Sequence, residues 1–252
     1  MGERTPIGFG GHNTWSLEDG AVNLVRPAIP PRPARLPTHT GPDIVVDFAR
    51  AALVVVDMQN DFLHPDGWFA GKGIDVAPLH AVVPPINRLS GALRAANVPV
   101  IWLNWGVRAD GLNLPPTTAY AGKRHPGERG YTEGGALVKG SWGAAFHDRL
   151  KRAAGDVVVE KSRLGGFRDS ELDGVLRNLR RHTLFFAGIN IDRCVFATLT
   201  EATFAGYDAV LIEDAVASPS PAHCAETVHF LTDRLYGFRA ATDAVVAAAK
   251  TL

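Results

Sequence analysis

Residues 183–202 decide the fold: Thr183-Leu-Phe-Phe-Ala-Gly188 is followed, after a short connection, by Cys194-Val-Phe-Ala-Thr-Leu-Thr-Glu-Ala202. The first stretch is a short apolar run that predicts a buried strand, and the second predicts a helix. A thiol at this junction would lie at a helix N-terminus, where unpaired N–H groups and the helix dipole favour the thiolate. A free cysteine is also commonly a small buried hydrophobic side chain, so the junction alone leaves both interpretations open.

The alternation of strand and helix continues in both directions from this junction. Further apolar runs predict strands at 52–57, 98–103, 156–160 and 208–213, and helical stretches lie at about 78–96, 143–154, 169–181, 194–206, 221–236 and 242–250. Strands that are apolar on both faces and alternate with helices indicate a parallel sheet that is covered on each side. The sequence therefore predicts an α/β fold, a three-layer α/β/α sandwich with a central parallel sheet. The long segment from about 105 to 141 is typical of a lid or substrate loop.

Residues 1–46 differ from the rest of the chain, because they are rich in proline and show little periodicity. Such a segment is not expected to form a helix or a central strand. We expect a Pro-rich N-terminal arm over 1–46, either lying on the body or a partner subunit or forming a mobile tail, and one α/β domain over 47–252. Trp15, Leu24 and Val25 are candidate anchors for the arm.

Composition narrows the classes of function. The chain has 252 residues, 46% of them hydrophobic, and a formal net charge of zero. No basic stripe favours nucleic acid, and no apolar run approaches the roughly 18 residues that a bilayer crossing needs. Two cysteines do not make a disulfide framework, and the N-terminus lacks the apolar core of a signal peptide. We expect a soluble cytoplasmic protein whose partner is a small-molecule substrate, with no nucleic acid and no membrane.

Three reactive side chains fall at the ends of predicted strands: Asp57, Lys161 and Cys194. In open parallel sheets, ligands bind outside the C-terminal ends of the strands. Alone, Asp57 could cap the turn that follows it, and Lys161 could be a solvated strand-end lysine. Together they predict a site, because a cysteine nucleophile needs activation and both other groups can supply it.

At these positions the chain resembles the isochorismatase-like cysteine hydrolases, which include nicotinamidases and the N-carbamoylsarcosine, biuret and ureidoacrylate amidohydrolases. The resembling stretches are 52–62, 139–143, 156–161 with Phe167, 187–194 and 206–215. The likeness covers about residues 48–245, and it implies an isochorismatase-like hydrolase domain over 47–252. The resemblance implies that the family's catalytic triad falls on Asp57, Lys161 and Cys194.

The resemblance also implies a mechanism. Cys194 would attack an amide or ureido carbonyl, and Asp57 would take the thiol proton and later protonate the leaving nitrogen. Lys161 would hold the carboxylate in place and stabilise the charged pair. A thioester acyl-enzyme would then release the acid to water. Backbone N–H groups of Arg193 and Cys194 would form the oxyanion hole.

The resemblance further implies a cis peptide bond between Ile189 and Asn190. Side chains near the motifs are candidate substrate contacts: Phe62, Trp105, Arg108, Arg163, Phe167 and Asn190, with Arg193 as a further arginine and Trp68 and Phe69 as an apolar wall. An arginine would suit a substrate carboxylate, which it can bind in a bidentate way, and Arg163 is the favoured arginine because it lies two residues after Lys161.

Departures from the family pattern refine the expected function. Nicotinamidases carry clustered Asp and His metal ligands, but the second strand here runs into Asn104-Trp105-Gly-Val-Arg108 without such a His, so we predict no metal and no cofactor. Isochorismatase proper lacks the nucleophile, so Cys194 favours C–N cleavage. Ureidoacrylate amidohydrolases share the Lys-Gly-Ser-Trp stretch but have an aromatic residue where Leu164 stands.

We therefore expect a metal-independent amidohydrolase for a small linear amide, ureido or carbamoyl compound. The alternatives are a nicotinamidase-like or other cyclic-amide hydrolase and a non-catalytic protein that retained the fold. Because family members commonly form dimers or tetramers, the resemblance also implies a homo-oligomer.

Overall fold

In the computed structural model, which describes residues 5–252, the N-terminal segment forms two small antiparallel sheets. The first consists of β1 (Thr5–Ile7), β2 (Trp15–Glu18) and β3 (Ala21–Asn23), and the second is a hairpin of β4 (Pro33–Leu36) and β5 (Ile44–Asp47). These strands are short and lie outside the central sheet. The missing N–H of proline is tolerated at such positions. The hairpin extends across the boundary that the sequence analysis places at residue 46.

The side chains that hold this segment to the body differ from those expected. Trp15, Leu24 and Val25 are exposed, whereas Leu36 and Val46 are buried in the main core. Leu36 lies in β4 and Val46 in β5, and successive side chains of a strand point to opposite faces, so a hairpin can bury one row of residues and expose the other. The hairpin, rather than the first sheet, therefore supplies the apolar anchor.

The central sheet contains six strands among the described residues. They are β6 (Ala51–Val56), β7 (Val100–Trp105), β8 (Val157–Lys161), β9 (Thr183–Ile189), β10 (Asp208–Ala217) and β11 (Phe238–Ala240). Their order is β11-β10-β9-β6-β7-β8, and every adjacent pair is parallel. β6, β7 and β9 are buried along their whole length, as expected for strands that are covered on both faces. The predicted α/β/α fold with a central parallel sheet is confirmed.

Helices cover the sheet. They are α1 (Asn60–Leu63), α2 (Trp68–Gly71), α3 (Val83–Ala95), α4 (Pro116–Gly122), α5 (Leu172–Asn178), α6 (Phe196–Phe204), α7 (Ala222–Leu231) and α8 (Thr242–Ala249). Short 3₁₀ turns occupy Phe48–Arg50, Ala77–Val82 and Glu133–Gly135, and π-helical turns occupy Ile191–Val195 and Thr232–Tyr236. Across residues 5–252, no helix has the length and apolar character needed to span a bilayer.

The helix predicted at 143–154 was wrong, because this segment forms a series of turns. Its backbone pairs instead with the loop that follows β6: the Asn60 N–H donates to the Ala145 carbonyl at 2.9 Å, and the His147 N–H donates to the Met58 carbonyl at 3.1 Å. Groups engaged in this way are not available for a helical ladder, so tertiary pairing overrides the local pattern.

Candidate active site

The C-terminal ends of three strands bring the predicted reactive side chains to one edge of the sheet. Asp57 follows β6, Lys161 ends β8, and Cys194 lies in the π-helical turn between β9 and α6. The Lys161 ammonium nitrogen lies 3.0 Å from Oδ2 of Asp57, and both side chains are fully buried. The same nitrogen donates to the Arg163 carbonyl at 3.2 Å and lies 4.3 Å from the ring centroid of Trp105, which ends the intervening strand β7.

The loop after β6 positions both the carboxylate and the indole. Asp57 adopts a φ of +54°, in the left-handed region that aspartate visits more readily than most residues. Its N–H donates to the Leu103 carbonyl at 2.9 Å. Two residues later, the Gln59 amide brackets the backbone of Trp105: its Nε2 donates to the Trp105 carbonyl and its Oε1 accepts from the Trp105 N–H, each at 2.8 Å. This supporting role of Gln59 was not predicted from the sequence.

The Cys194 thiol is protonated at rest. Burial, followed by the negative charge of the Asp57 carboxylate, raises the pKa of Cys194 to about 12, and the Lys161 ammonium only partly opposes the rise. The expectation that a helix N-terminus would favour a thiolate was therefore wrong, because burial in an apolar environment penalises the charged form more strongly here.

The Asp57 carboxyl is placed to accept a proton. Burial raises its pKa above the ordinary value, and the Lys161 ammonium and the neighbouring Cys194 thiol partly offset that rise. Its Oδ1 atom is buried and has no hydrogen-bond partner within residues 5–252. One carboxylate oxygen is thus held by the lysine while the other keeps its accepting capacity.

The backbone around the nucleophile has features that bear on the expected oxyanion hole. The Ile189–Asn190 peptide bond is cis. The Arg193 N–H donates to the Asn190 carbonyl at 3.1 Å, and so does the Val195 N–H. The Arg193 amide is therefore engaged within the turn. By contrast, the Asn190 N–H has no hydrogen-bond acceptor in the described part of the chain.

The thiol opens into a cavity of about 450 Å³. Larger grooves lie elsewhere on the surface, such as one of about 1060 Å³ beside α3 and α8, but that groove contains none of the three reactive side chains. Six residues that the sequence analysis proposed as contacts or as an apolar wall line the smaller cavity: Phe62, Trp68, Phe69, Trp105, Asn190 and Arg193.

Three other proposed contacts lie outside this cavity. Arg108 is exposed and its guanidinium pairs with Asp110 at 2.6 Å. The guanidinium of Arg163, the favoured arginine, pairs with Asp169 at 2.9 Å. Phe167 packs against the core. Both arginines are thus neutralised by nearby aspartates, which removes them as free cations for a substrate.

The structure adds lining residues from the segment that follows α4. Lys72, which follows α2 and also lines the cavity, donates to the Glu128 carboxylate at 2.9 Å and to the Gly122 carbonyl at 2.7 Å, so the charges of Lys72 and Glu128 compensate each other. Arg124 also lines the cavity, and its guanidinium has no partner among the described residues. Tyr131 lines the cavity as well. The sequence pointed to neither Arg124 nor Tyr131, because the 105–141 segment has no periodic pattern.

Metal ligands are not gathered at this site. Within residues 5–252, no group of three or more His, Cys, Asp or Glu side chains is arranged to hold a metal ion. The ionisable groups beside the thiol are a carboxylate and an ammonium that neutralise each other. This arrangement is suited to moving one proton between sulfur and carboxylate.

Comparison with known proteins finds a family model and curated relatives that are similar to this chain. Residues 51–239 match the family model described as the isochorismatase domain. The ureidoacrylate amidohydrolase RutB of Pseudomonas savastanoi pv. phaseolicola (strain 1448A / Race 6) is 33% identical over 218 residues, which covers 84% of this chain and 89% of that protein.

Solved structures show the same architecture. A cysteine hydrolase from Pseudomonas syringae pv. phaseolicola 1448A superposes with a TM-score of 0.72 at 25% identity, covering 85% of this chain and 98% of that one. N-carbamoylsarcosine amidase from Thermoplasma acidophilum superposes with a TM-score of 0.61 at 28% identity, covering 77% and 97%.

Proposed function

Since this chain belongs to the isochorismatase family and is an amidohydrolase of carbon–nitrogen bonds other than peptide bonds, we propose that it cleaves a small linear amide, ureido or carbamoyl compound through a thioester on Cys194. The observation that carries the proposal is the meeting of Asp57, Lys161 and Cys194 beside one cavity. The Lys161–Asp57 distance of 3.0 Å, in a fully buried pair, supports a shared role for these two side chains.

The protonation states of Cys194 and Asp57 determine the order of the proposed steps. Because the pKa of Cys194 is about 12, attack requires transfer of the thiol proton, and the unpartnered Oδ1 of Asp57 accepts it. The sulfur then bonds to the scissile carbonyl carbon, and the carbonyl oxygen takes the negative charge. When the C–N bond breaks, Asp57 returns the proton to the leaving nitrogen. Water hydrolyses the thioester and restores the thiol.

Lys161 keeps this exchange electrically balanced. Its ammonium pairs with the carboxylate before transfer and remains beside the neutral acid afterwards, and the π face of Trp105 lies 4.3 Å away. The proposed oxyanion donors are the N–H groups of Cys194 and Asn190, since the Arg193 amide is already engaged. Each such donor is typically worth about 3 kcal/mol of transition-state stabilisation.

The cavity favours a small anionic substrate. Its volume of about 450 Å³ suits a compact molecule, and its aromatic walls suit a planar ureido or amide group. Arg124 brings an uncompensated positive charge, whereas Lys72 is neutralised by Glu128. Arg193 lines the same cavity and donates to the Ser220 hydroxyl at 3.1 Å. Arg124 is therefore the proposed partner of a substrate carboxylate.

The test is ammonia release from ureido acids, carbamoyl amino acids and linear amides, measured with the wild type and a Cys194→Ala variant. Wild-type turnover that is lost in the variant supports the proposal. Mass spectrometry after rapid acid quench should detect an acyl adduct on the peptide that contains Cys194. Activity that survives Cys194→Ala, or an adduct on Cys224 instead, would reject the thioester mechanism. A Cys224→Ala variant is the matched control and should retain activity.

Three further expectations remain predictions. The division into a Pro-rich arm and a hydrolase domain, the homo-oligomeric state and the cytoplasmic location come from the sequence and the family resemblance. Sedimentation of the purified chain tests the second directly.

A further inference from the structure

Tyr131 is held rigidly on the wall of the cavity. Its ring stacks on Trp105 with centroids 5.3 Å apart and planes at 23°, and it lies 5.0 Å from the Trp68 ring at 32°. Both indoles are themselves anchored, Trp105 through its backbone to Gln59 and Trp68 through its Nε1, which donates to the Arg129 carbonyl at 2.5 Å. A ring between two anchored aromatics has little rotational freedom, so the direction of its hydroxyl is preset.

The Tyr131 hydroxyl has no hydrogen-bond partner within residues 5–252. Polar groups at such positions normally find a partner, as the Tyr207 hydroxyl does by donating to Asp173 at 2.9 Å. Burial raises the pKa of Tyr131 above its ordinary value, and the charges of Cys194 and Asp57 raise it further. Tyr131 lines the same cavity as Cys194, and its hydroxyl remains a donor at any physiological pH.

We propose that Tyr131 is a substrate-contact residue whose hydroxyl donates a hydrogen bond to an oxygen of the substrate bound beside Cys194. This inference rests on the proposed amidohydrolase function, because it assigns the contact to the same cavity. The scissile carbonyl oxygen is directed to the amides of Cys194 and Asn190. The acceptor for Tyr131 is therefore a second oxygen, a carbonyl or carboxylate on the acyl half.

Gly122 makes this placement possible. A Cβ atom at Gly122 would overlap the Tyr131 ring, so the end of α4 can lie against the ring only because this residue lacks a side chain. The Gly122 carbonyl accepts from Lys72 at 2.7 Å, which ties α4 to the aromatic wall. A substitution here moves the ring while leaving the hydroxyl in the molecule, and so offers a second, independent perturbation.

The decisive variant is Tyr131→Phe, with Tyr207→Phe as the matched control. Tyr131→Phe keeps the stacked ring and removes only an unpaired hydroxyl, so its thermal unfolding midpoint should equal that of the wild type. We expect kcat/KM to fall about 10- to 100-fold for substrates with a carboxylate as second oxygen, and about 3- to 10-fold where that oxygen is a neutral carbonyl. Tyr207→Phe should change kcat/KM less than twofold. Gly122→Ala should reproduce the fall by displacing the ring.

The outcomes separate this inference from the function on which it rests. If the wild type turns over a substrate and Cys194→Ala does not, but Tyr131→Phe stays within twofold of the wild type for every substrate, the hydrogen bond is refuted and the function stands. Equal losses in Tyr131→Phe and Tyr207→Phe would also refute it, because they would indicate a general packing defect. Hydrolysis by Cys194→Ala, or no hydrolysis of any compound by the wild type, removes the proposed function and this contact with it.

Discussion

The buried ion pair between Lys161 and Asp57 provides a test that does not depend on knowing the substrate. The perturbation is Lys161→Met, which keeps an unbranched side chain of similar length and removes the charge. In the wild type, both side chains of this pair are fully buried, so the variant leaves the Asp57 carboxyl buried without its partner. Removal of one partner of a buried pair typically costs about 3–5 kcal/mol of the free energy of unfolding.

The pH dependence of this cost has a definite sign. Without the ammonium, the pKa of Asp57 rises further, so the folded variant binds a proton that the unfolded chain releases above about pH 4. A group with a raised folded pKa contributes stability below its unfolded pKa and loses it as pH rises. At about 1.36 kcal/mol per pH unit, the loss between pH 4 and pH 7 is up to about 4 kcal/mol, which agrees with the cost of the broken pair.

The assay is urea unfolding followed by circular dichroism at pH 5 and pH 7. Lys161→Met should be less stable at pH 7 than at pH 5 relative to the wild type, and adding Asp57→Asn should recover about 2 kcal/mol at pH 7. Lys139→Met is the matched control, because its ion pair with Glu160 is exposed and should contribute less than about 1 kcal/mol. If Lys161→Met and Lys139→Met cost the same, or if the double variant shows strict additivity, the buried-pair reasoning is wrong.

Three further predictions concern the thiol, the cavity and a tight contact. Iodoacetamide labelling of Cys194 should still be accelerating above about pH 10, because the pKa is raised to about 12; a plateau near pH 8 in peptide mass mapping would contradict this. Arg124→Gln should raise KM for carboxylate substrates about tenfold or more and leave KM for neutral amides nearly unchanged in steady-state assays. Gly143→Ala should lower stability by about 1–3 kcal/mol, because its Cβ would overlap the buried Asp61 carboxylate, whereas Gly155→Ala, whose Cβ meets nothing within 4 Å, should be neutral in thermal unfolding.

The sequence predicted the sheet well where strands are apolar on both faces, as in β6, β7 and β9, since burial on two sides leaves an unmistakable run. It missed β11, because Phe238-Arg-Ala240 is too short and too polar to stand out. Only the neighbouring strand β10, with which it pairs in parallel, makes this segment a strand. Such pairing is a tertiary property, and a local pattern does not contain it.

The site, too, has a part that was predictable from the sequence and a part that was not. The convergence of Asp57, Lys161 and Cys194 was predictable because strand ends of a parallel sheet share one edge. Which arginine side chain would be unpaired at the cavity was not predictable, because closeness to a motif in sequence does not reveal which carboxylate pairs with a guanidinium. Arg163 lies two residues from Lys161, yet its guanidinium pairs with Asp169, while the unpaired Arg124 comes from a segment without periodicity.

Burial and helix position make opposing demands on Cys194, and the outcome explains why the neighbouring groups are needed. A helix N-terminus typically stabilises a nearby negative charge by about 0.3–1 kcal/mol at exposed sites. Burial and the Asp57 carboxylate raise the pKa of the thiol to about 12, so they oppose the thiolate more strongly than the helix N-terminus favours it. A preformed thiolate is therefore too costly at this position. In the proposed mechanism the attack is therefore coupled to proton transfer to a base within the same enclosed space, and the lysine keeps that base ionised, because an unpaired carboxylate there would itself become protonated. The protonation of the buried thiol and that of the carboxyl thus depend on each other and on the ammonium, and removing Lys161 should raise the pKa of both.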